Sequence, residues 1–434
     1  MSGSPPPRPL PPGSSRRLPV AVALPFAVVA GLNLWGHSGG LGWRCRYDLS
    51  IYLNSALQFF ARGTPYEFAT DRGLGFTYPP VALSIFLPLA QVPLAVVWSG
   101  WVVAIACLGA VVTQGLIRRS GAAVGPVASC LVGTLVAFTD PISDSMWLGQ
   151  LSPFVGAAAF VALSGSEAVC GAWAGLGAAL KITPLACALG FALQPDRRRR
   201  VVWALGVTAA LTLGGFALAP KASFYYWTQG LFDTGRVGRI GSASNTSLPG
   251  LLAHAGLPDG AAVIVGVAVM TLGGMLWYLF VHRRREVAFL DLAVVVGSAV
   301  VLVTPVSWGH HGLAVSLGWA LLAVRRRWPM AIAGAVSWSL PLFVWATEVP
   351  AEGKLLLQSI RPLSVFLLVI ALAATCPRRS STRDDHTDHR NPALVPVATV
   401  AGVVDGADHR QAVRATEAGA TADAQPTAHP GGER

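Results

Sequence analysis

The chain alternates long apolar stretches with short polar or charged segments. Five windows of about 20 residues, the length that spans a bilayer as a helix, contain at most one charged side chain: 18–35, 201–219, 261–281, 330–346 and 355–374, the last of which includes Arg361. At about 1.5 Å per residue, each can cross a hydrocarbon core of about 30 Å. A soluble protein can bury one such helix but not a series of them. The pattern therefore predicts an all-α, multi-pass membrane protein that lies in the lipid bilayer.

The two ends of the chain differ in composition from its centre. Residues 1–17 are rich in Pro, Ser and Arg, and residues 377–434 are rich in Ala, Thr, Asp, His and Pro without periodicity. We predict a disordered cytoplasmic N-terminus over 1–17, a transmembrane domain over 18–376 and a disordered cytoplasmic tail over 377–434. The first apolar stretch lacks a small-residue cleavage site after it, which predicts a retained helix rather than a signal peptide.

The positive charge lies in short arginine clusters between the apolar stretches. The formal net charge is +11, and the clusters lie at 118–119, 197–200, 283–285, 325–327 and 378–379. They contain no interleaved aromatic residues, so they favour the positive-inside rule of membrane topology over nucleic-acid binding. With Arg16 and Arg17 in the cytoplasm, this rule places Asp48, Tyr78 and His310 together at the outer face.

The stretch 79–196 is interrupted by prolines and predicts short or broken helices, which need cover from protein or a cavity. We favour a topology with Arg118 and Arg119 inside, three passages within 151–196, and Lys181 at an outer turn. If these arginines lie outside, Lys181 falls within a span or toward the inside. With both ends cytoplasmic the number of spans is even, about 10 to 12.

Asp48 is the strongest single candidate for chemistry. It follows the first apolar stretch and is flanked by Arg44, Arg46, Tyr47 and Tyr52. A carboxylate held ionised beside a hydroxyl can act as a general base, and neighbouring arginines favour the ionised form. The alternative is a loop aspartate that is merely paired with Arg44 or Arg46.

The sequence offers little support for a metal site. The six cysteines are scattered without a C-x-x-C motif, and Asp140 and Asp144 are the nearest approach to a paired-aspartate motif. His310 and His311 are adjacent, so on a helix their side chains would point about 100° apart and would not share one ligand. We predict no essential metal and no cofactor.

Seven segments, in order, carry a resemblance to a known family. They are Asp48-Leu-Ser-Ile-Tyr52, Gly63-Thr-Pro-Tyr66, Phe76-Thr-Tyr-Pro-Pro80, Gly149-Gln150, Ala179-Leu-Lys-Ile-Thr-Pro184, Asn245-Thr-Ser-Leu-Pro-Gly250 and Thr304-Pro-Val-Ser-Trp-Gly-His-His311. Together they resemble the bacterial polyprenyl-phosphate-mannose-dependent α-mannosyltransferases of glycosyltransferase family 87, over roughly residues 20–375. One departure is Gly309, where we expect an acidic residue in many relatives.

The resemblance implies a membrane fold of the GT-C type with extracytoplasmic catalytic loops, a polyprenyl-phosphate sugar donor and a catalytic aspartate in the first outer loop. Asp48 occupies that position, and 18–376 would be the catalytic domain. The leaving lipid phosphate gains negative charge in the transition state, so a cation should meet it. Lys181 lies inside an apolar stretch and is the first choice; the alternative is a lysine that reaches the membrane surface from a helix end.

The remaining candidate site residues follow from the same reaction. His310, His311 and Arg44 are further groups for the donor phosphate or the substrate. Gln150 and Asn245 are candidate partners of sugar hydroxyls. Tyr78 precedes two prolines and is expected to shape the backbone of the outer loop over the cavity.

The predicted function is transfer of a sugar, mannose by resemblance, to a glycolipid or glycan acceptor of the cell envelope. Transfer would take place on the extracytoplasmic face of the cell membrane, with Asp48 as general base. A transporter or flippase for a lipid-linked sugar is the alternative, because broken helices and polar residues within the membrane also suit transport. A non-catalytic scaffold for envelope glycan enzymes is a third possibility. Nucleic acid is not an expected partner.

Overall fold

The computed structural model describes residues 14–38 and 45–377. Within these ranges the regular structure is helical, and the β-type pairing found there is one isolated bridge between Ala69 and Gly75. This confirms the predicted all-α, multi-pass fold class.

The α-helices are numbered in chain order. They are α1 Ser14–Ser38, α2 Tyr47–Arg62, α3 Leu83–Leu89, α4 Leu94–Arg119, α5 Pro126–Ala137, α6 Asp140–Leu148, α7 Ser152–Ser164, α8 Gly171–Leu180, α9 Cys187–Phe191, α10 Arg197–Leu218, α11 Pro220–Tyr225, α12 Leu248–His254, α13 Asp259–Trp277, α14 Phe289–Val303, α15 Leu313–Val324, α16 Trp328–Ser337, α17 Leu342–Glu348 and α18 Ala351–Thr375. Short 3-10 helices are Pro65–Glu67, Pro80–Ala82, Ala168–Cys170, Thr183–Ala186, Thr234–Arg236 and Gly309–His311, and π-helical turns are Tyr226–Gly230 and Tyr278–His282.

Five helices in the described ranges are long and apolar enough to cross a membrane. They are Pro19–Gly36, Leu94–Arg119, Arg197–Leu218, Asp259–His282 and Gly353–Thr375. Four of them match predicted windows. The span formed by α4 was not among the windows, because the prolines around it suggested a broken stretch. In the structure Pro93 stands at the N-cap of α4, a place where the fixed φ of proline does not interrupt a helix.

The window 330–346 is not one straight span. It forms the pair α16 and α17, which bend by 55° between Ser337 and Leu342, and Pro341 lies in that break. The pair α5 and α6 bends by the same angle. Counting each pair as one span gives up to seven spans by length and composition. Three to five of the five shorter apolar helices would have to cross as well to reach about 10 to 12, so that number stays a prediction.

The short helices lie in the interior, where protein covers their ends. Helix α15 is buried along almost all of its length, and it packs against α14, α16 and α5. By contrast, α10 and α13 expose most of their apolar side chains, as expected of helices that face lipid. The interior helices therefore meet the condition under which short helices are tolerated within a membrane.

Arginines from several of the clusters lie together at one end of the helix bundle. Arg119, the last residue of α4, donates to the hydroxyl of Ser164 at the end of α7 (2.7 Å). Arg325, just after α15, forms a two-pronged ion pair with Asp291 near the start of α14 (2.6 and 2.8 Å). The structure therefore gathers these ends of α4, α7, α14 and α15, and we call this the arginine end.

Arg200, which belongs to one of the arginine clusters used above to predict topology, also stabilises the fold. Its side chain is wholly buried, and it donates to the carbonyls of Ala162 (3.3 Å), Gly165 (3.1 Å) and Ser166 (2.5 Å). These carbonyls belong to the end of α7 and the turn after it, so Arg200 closes a helix end whose last carbonyls lack partners within the helix.

Helices α7, α8 and α9 run back and forth between the two ends of the bundle. Ser164 lies at the arginine end, whereas Lys181, directly after α8, contacts His311 at the opposite end. Gln194, after α9, returns to the carbonyl of Leu163 (2.5 Å). This order agrees with three passages and with Lys181 at a turn, although each helix is shorter than a full span.

The predicted disordered ends fall largely outside the described residues. Helix α1 begins at Ser14, so residues 14–17, which we expected to be irregular, extend the first apolar helix instead. Residues 1–13, 39–44 and 378–434 lie outside the described part of the chain, and so does Arg44.

The two-ended bundle predicts the sidedness of two exposed positions. Asp71 lies in the loop after α2 and Arg198 at the arginine end, and both are exposed. In a variant whose six cysteines are replaced, Asp71→Cys and Arg198→Cys should react with a membrane-impermeant maleimide from opposite sides of the membrane. Labelling of both from the same side of sealed vesicles would contradict this arrangement.

Candidate active site

The start of α2 presents Asp48 at the end of the bundle opposite the arginines. Arg46, the N-cap residue, adopts a left-handed backbone conformation (φ 64°), and its N–H donates to the carbonyl of Trp147 on α6 (2.8 Å). Asp48 lies in the first turn of α2, where the helix dipole favours a negative charge. The backbone thus fixes the carboxylate beside the end of α6.

Gly149 allows α6 to approach α2 closely. It ends α6 with a left-handed conformation (φ 76°), which glycine adopts without steric cost. A Cβ atom at this position would lie 2.5 Å from Cβ of Leu49. The Gly149-Gln150 motif therefore has a geometric reason: the glycine lets the next side chain reach Asp48.

Gln150 holds the carboxylate of Asp48 with a short hydrogen bond. Its Nε2 donates to Oδ2 of Asp48 at 2.6 Å. The hydroxyl of Tyr52 donates to Oε1 of the same amide at 3.0 Å, so the amide presents its nitrogen to Asp48. The hydroxyl of Tyr78 lies 3.4 Å from the same oxygen. Gln150 is buried and acts here on the carboxylate, where the sequence suggested a partner for sugar hydroxyls.

Burial raises the pKa of Asp48 above its ordinary value. The charge of His310 opposes this most strongly, followed by the hydrogen bond from Gln150. A carboxyl group with a raised pKa is a better proton acceptor once it is ionised, which is the property a general base needs.

Lys181 and His311 contact each other at the same end of the bundle as Asp48. Nζ of Lys181 lies 2.8 Å from Nε2 of His311 and 5.8 Å from the ring centre of Tyr78. Burial lowers the pKa of Lys181 to about 8, and Asp48 opposes the shift. Burial, then the charge of Lys181, holds the pKa of His311 well below its usual value. The lysine thus points into the protein rather than toward the membrane surface.

Both ring nitrogens of His311 face hydrogen-bond donors. The backbone N–H of Trp308 points at Nδ1 (3.2 Å), and Lys181 points at Nε2. A neutral imidazole has only one acceptor nitrogen, so it cannot accept from both while Lys181 is protonated. An anion beside Lys181 would remove the conflict, because it could accept from the lysine and from an Nε2–H group of His311.

The side chain of His310 contacts both His311 and α6. The rings of His310 and His311 meet edge to face, with 4.7 Å between their centres and 89° between their planes. Nδ1 of the buried His310 lies 3.4 Å from Oδ2 of Asp144. One turn earlier on α6, Asp140 forms an ion pair with Arg361 of α18 (2.6 Å).

The Asp140–Arg361 pair also explains Gly309. A Cβ atom at position 309 would lie 2.8 Å from Nη1 of Arg361 and 2.8 Å from Oδ2 of Asp140. An acidic side chain at this position would therefore collide with the pair. In this chain Asp140 supplies, from a different helix, a negative charge beside Arg361.

An apolar cavity of about 280 Å³ begins at Lys181 and His311. Its walls run along α7 from Ser152 to Leu163 and along α14 from Ala293 to Val301. Polar groups gather at the Lys181 end, and the rest of the lining is mostly apolar. The residues lining this end are Thr77, Ser152, Lys181, Tyr226, Asp233, Arg236, Thr304, Ser307 and His311. The cavity suits a molecule with a polar head and an apolar tail.

The side-chain amide of Asn245 makes all of its hydrogen bonds to the protein backbone. Its Nδ2 donates to the carbonyls of Ile240 and Pro305 (2.9 Å each), and its Oδ1 accepts from the N–H groups of Ser247 (3.1 Å) and Ser307 (2.9 Å). The side chain is buried. Asn245 joins the loop before α12 to the loop after α14 and has no hydrogen-bonding capacity left for a sugar.

Three residues near the site were not among the sequence candidates. Tyr52 orients Gln150, and its four-residue spacing from Asp48 on α2 was a signal that both share one helix face. Asp144 was considered only as part of a metal motif. Arg236 stacks between Tyr66 and Tyr225 (4.8 and 5.8 Å to the ring centres); no local pattern marked it.

The described residues contain no group of three or more His, Cys, Asp or Glu side chains placed to hold a metal ion. The absence of an essential metal remains a prediction.

The profile of glycosyltransferase family 87 matches residues 76–305. The chain belongs to this family. It is a membrane glycosyltransferase, and Lys181 and the segment from Asn245 to Thr304 lie within the matched region, whereas Asp48, His310 and His311 lie outside it.

Two mycobacterial relatives are similar over most of the chain. A polyprenol-phosphate-mannose-dependent alpha-(1-2)-phosphatidylinositol mannoside mannosyltransferase of Mycobacterium tuberculosis is 29% identical over 333 residues, or 69% of this chain and 76% of the relative. The protein of the same description from Mycolicibacterium smegmatis is 27% identical over 418 residues, or 82% and 91%.

A third relative differs in the acceptor that its name gives. It is a polyprenol-phosphate-mannose-dependent alpha-(1-2)-phosphatidylinositol pentamannoside mannosyltransferase of Mycobacterium tuberculosis, 28% identical over 320 residues, or 71% of this chain and 67% of the relative.

The close contact of Gly149 with Leu49 predicts a defect from adding one methyl group. Gly149→Ala would force a side chain into the left-handed region, at about 1–2 kcal/mol, and would push α6 away from α2. We expect a lower melting temperature in detergent and loss of most sugar transfer. The matched control is Gly100→Ala in α4, where a Cβ atom meets nothing within 4 Å. Equal behaviour of the two variants would contradict the close approach.

Proposed function

We propose that this enzyme transfers mannose from a polyprenyl-phosphate donor to a phosphatidylinositol-mannoside type of glycolipid on the extracytoplasmic face of the membrane. The observation that carries the proposal is that the Asp48 carboxylate, held by Gln150, interacts electrostatically with Lys181, which lines the polar end of an apolar cavity together with His311. The names of the mycobacterial relatives support the donor and the acceptor class.

The cavity supports a donor with a lipid tail. Its apolar walls follow α7 for about 11 residues, or about 17 Å of helix, and α14 beside it, from Lys181 toward the arginine end. A polyprenyl chain could lie along these walls while its phosphate stays at the polar end. The sugar would then project from the phosphate toward Asp48, whose field reaches Lys181.

Lys181 and His311 would hold the phosphate. The negative charge on the leaving phosphate grows as the bond from the anomeric carbon to the phosphate oxygen breaks, and positioned donors stabilise such charge. The unsatisfied pairing of Lys181 with His311 favours an anion at this point. Arg236 lines the same cavity and adds a second positive charge.

Asp48 would take the proton from the acceptor hydroxyl. As the hydroxyl oxygen attacks the anomeric carbon, the O–H bond breaks and its proton moves to the carboxylate. Gln150, fixed by Tyr52, keeps the carboxylate oriented throughout. The extracytoplasmic location rests on the arginine clusters at the opposite end and on the positive-inside rule.

The first prediction for this mechanism concerns Asp48. Asp48→Asn is nearly isosteric and removes the charge and the basic oxygen, so transfer should fall by ~10²–10⁴ while expression and insertion persist. Asp48→Glu should also retain little, because a shift of about 1 Å can cost ~10²-fold. The measurement is transfer of radiolabelled mannose from polyprenyl-phosphate mannose in membranes.

Asp71→Asn, an exposed carboxylate in the loop after α2, is the matched control and should remain close to wild type. Near-normal transfer by Asp48→Asn would show that Asp48 is not the base. The raised pKa of Asp48 adds a pH dependence: the ionised form is active, so transfer should be lost as the pH falls through a value above about 3.9, the ordinary pKa of aspartate.

The second prediction concerns Lys181. Lys181→Gln removes the cation and should lower transfer by ~10²–10³, the effect of one lost donor to a developing negative charge. Lys181→Arg should keep more activity. Because the pKa of Lys181 is lowered to about 8, wild-type transfer should decline as the pH rises through that value, and Lys181→Arg should abolish this decline. Identical activities and pH profiles for the two variants would exclude a role for this charge.

A further inference from the structure

Asp48 needs a way to lose the proton that it receives in each turnover. Gln150 donates a hydrogen bond to Asp48, and Tyr52 donates one to Gln150. Neither side chain is a base that can take this proton at neutral pH. Three groups act electrostatically on Asp48: His310 most strongly, then Asp144 and Lys181. Lys181 is a cation when it binds phosphate, and the carboxylate of Asp144 faces Nδ1 of His310 at 3.4 Å, which leaves His310 as the proton acceptor among them.

The geometry around His310 fixes which ring nitrogen can accept. Nδ1 faces Oδ2 of Asp144 at 3.4 Å, so in the neutral ring the proton lies on Nδ1 and is donated to the carboxylate. In the described part of the chain, Nε2 of His310 makes no hydrogen bond. A carboxylate behind a histidine sets its tautomer and stabilises the imidazolium that forms when the other nitrogen takes up a proton.

Asp144 connects His310 with solvent. The side chain of His310 is 7% exposed, whereas that of Asp144 is 36% exposed. Asp140, one turn away on α6, is anchored by Arg361, which holds this helix in place beside the His310 turn. The charged or titratable groups around His310 are Asp48 on α2, Asp140 and Asp144 on α6, Lys181 after α8, His311 on the same turn and Arg361 on α18.

We propose that His310, oriented by Asp144, removes the proton from Asp48 after each sugar transfer and releases it to solvent. This inference rests on the proposed role of Asp48 as general base. The acceptor O–H bond breaks and its proton goes to Asp48; the acceptor oxygen bonds to the anomeric carbon; the bond to the phosphate breaks, and its electron pair stays with the phosphate. The proton then moves from Asp48 to Nε2 of His310 and leaves past Asp144.

The proposal predicts a particular time course. Asp48 begins each experiment ionised, so the first turnover does not need the relay. With purified enzyme, polyprenyl-phosphate mannose and a phosphatidylinositol mannoside, His310→Gln should produce a burst of one mannose transferred per enzyme. A steady rate lower by ~10²-fold should follow, the contribution of one acid–base group. Because the slowed step follows transfer, kcat and the KM for the donor should fall together, and kcat/KM should stay close to that of the wild type.

Asp144→Asn tests the positioning residue. It should give the same burst and a steady rate lower by about 10- to 10²-fold, the effect of one hydrogen bond to a charged group; Asp144→Glu should recover part of the rate. Added imidazole should restore part of the steady rate of His310→Ala. His254→Gln is the matched control, because Nδ1 of His254 contacts the carbonyl of Gly250 within its own helix, and it should behave as wild type.

The outcomes separate this inference from the function on which it rests. Wild-type steady rates in both His310→Gln and Asp144→Asn would overturn the relay. A smaller burst without a slow second phase, or no effect of imidazole, would also overturn it and would give His310 a role in binding. In contrast, a burst from Asp48→Asn would refute the proposed function itself, because that variant should fail in the first turnover.

Discussion

The hydrogen bond from Gln150 to Asp48 joins α6 to α2. These two helices can approach each other closely because the residue that ends α6 is a glycine. Gly149 lets the end of α6 approach Leu49 on α2, and the backbone of Arg46 completes the junction by bonding to α6. A carboxylate brought into a partly buried position needs partners to stay ionised. Gln150 provides such a partner at 2.6 Å, so the position of the candidate base depends on how α2 and α6 pack.

The two ends of the bundle carry different charged residues: arginines that stabilise the fold lie at one end, and the candidate catalytic residues lie at the other. At the arginine end, Arg200 and Arg325 close helix ends and pair with a buried carboxylate. At the other end, buried ionisable groups lie close to one another. Burial there raises the pKa of Asp48 and lowers the pKa of Lys181. Perturbed titration of this kind is common where catalysis occurs.

The apolar cavity links the membrane to this reactive end. Its walls belong to α7 and α14, short helices that would be poor spans by themselves. The longer helices α10 and α13 expose most of their apolar side chains, as expected of helices that face lipid. Short helices are acceptable within a membrane where they line a cavity or are covered by protein. The broken pattern of the middle of the chain is therefore a consequence of building a site for a lipid-linked substrate within the bundle.

Local sequence patterns determined the membrane class and most of the long spans, because hydropathy acts over a few turns. Asp48 was chosen from its flanking arginines and tyrosines and from the family resemblance, and its role stays a prediction. The bend between α16 and α17 and the span formed by α4 were missed, since a proline can end, begin or bend a helix depending on its neighbours. The hydrogen-bond and ion-pair partners of the site residues also could not be predicted from the sequence. Gln150 lies 102 residues from Asp48, and Arg361 lies 221 residues from Asp140. Only the packing of helices brings such side chains together, and for that reason the tertiary structure alone decided that Gln150 holds the carboxylate, that Asn245 joins two loops, and that Asp144 lies behind His310.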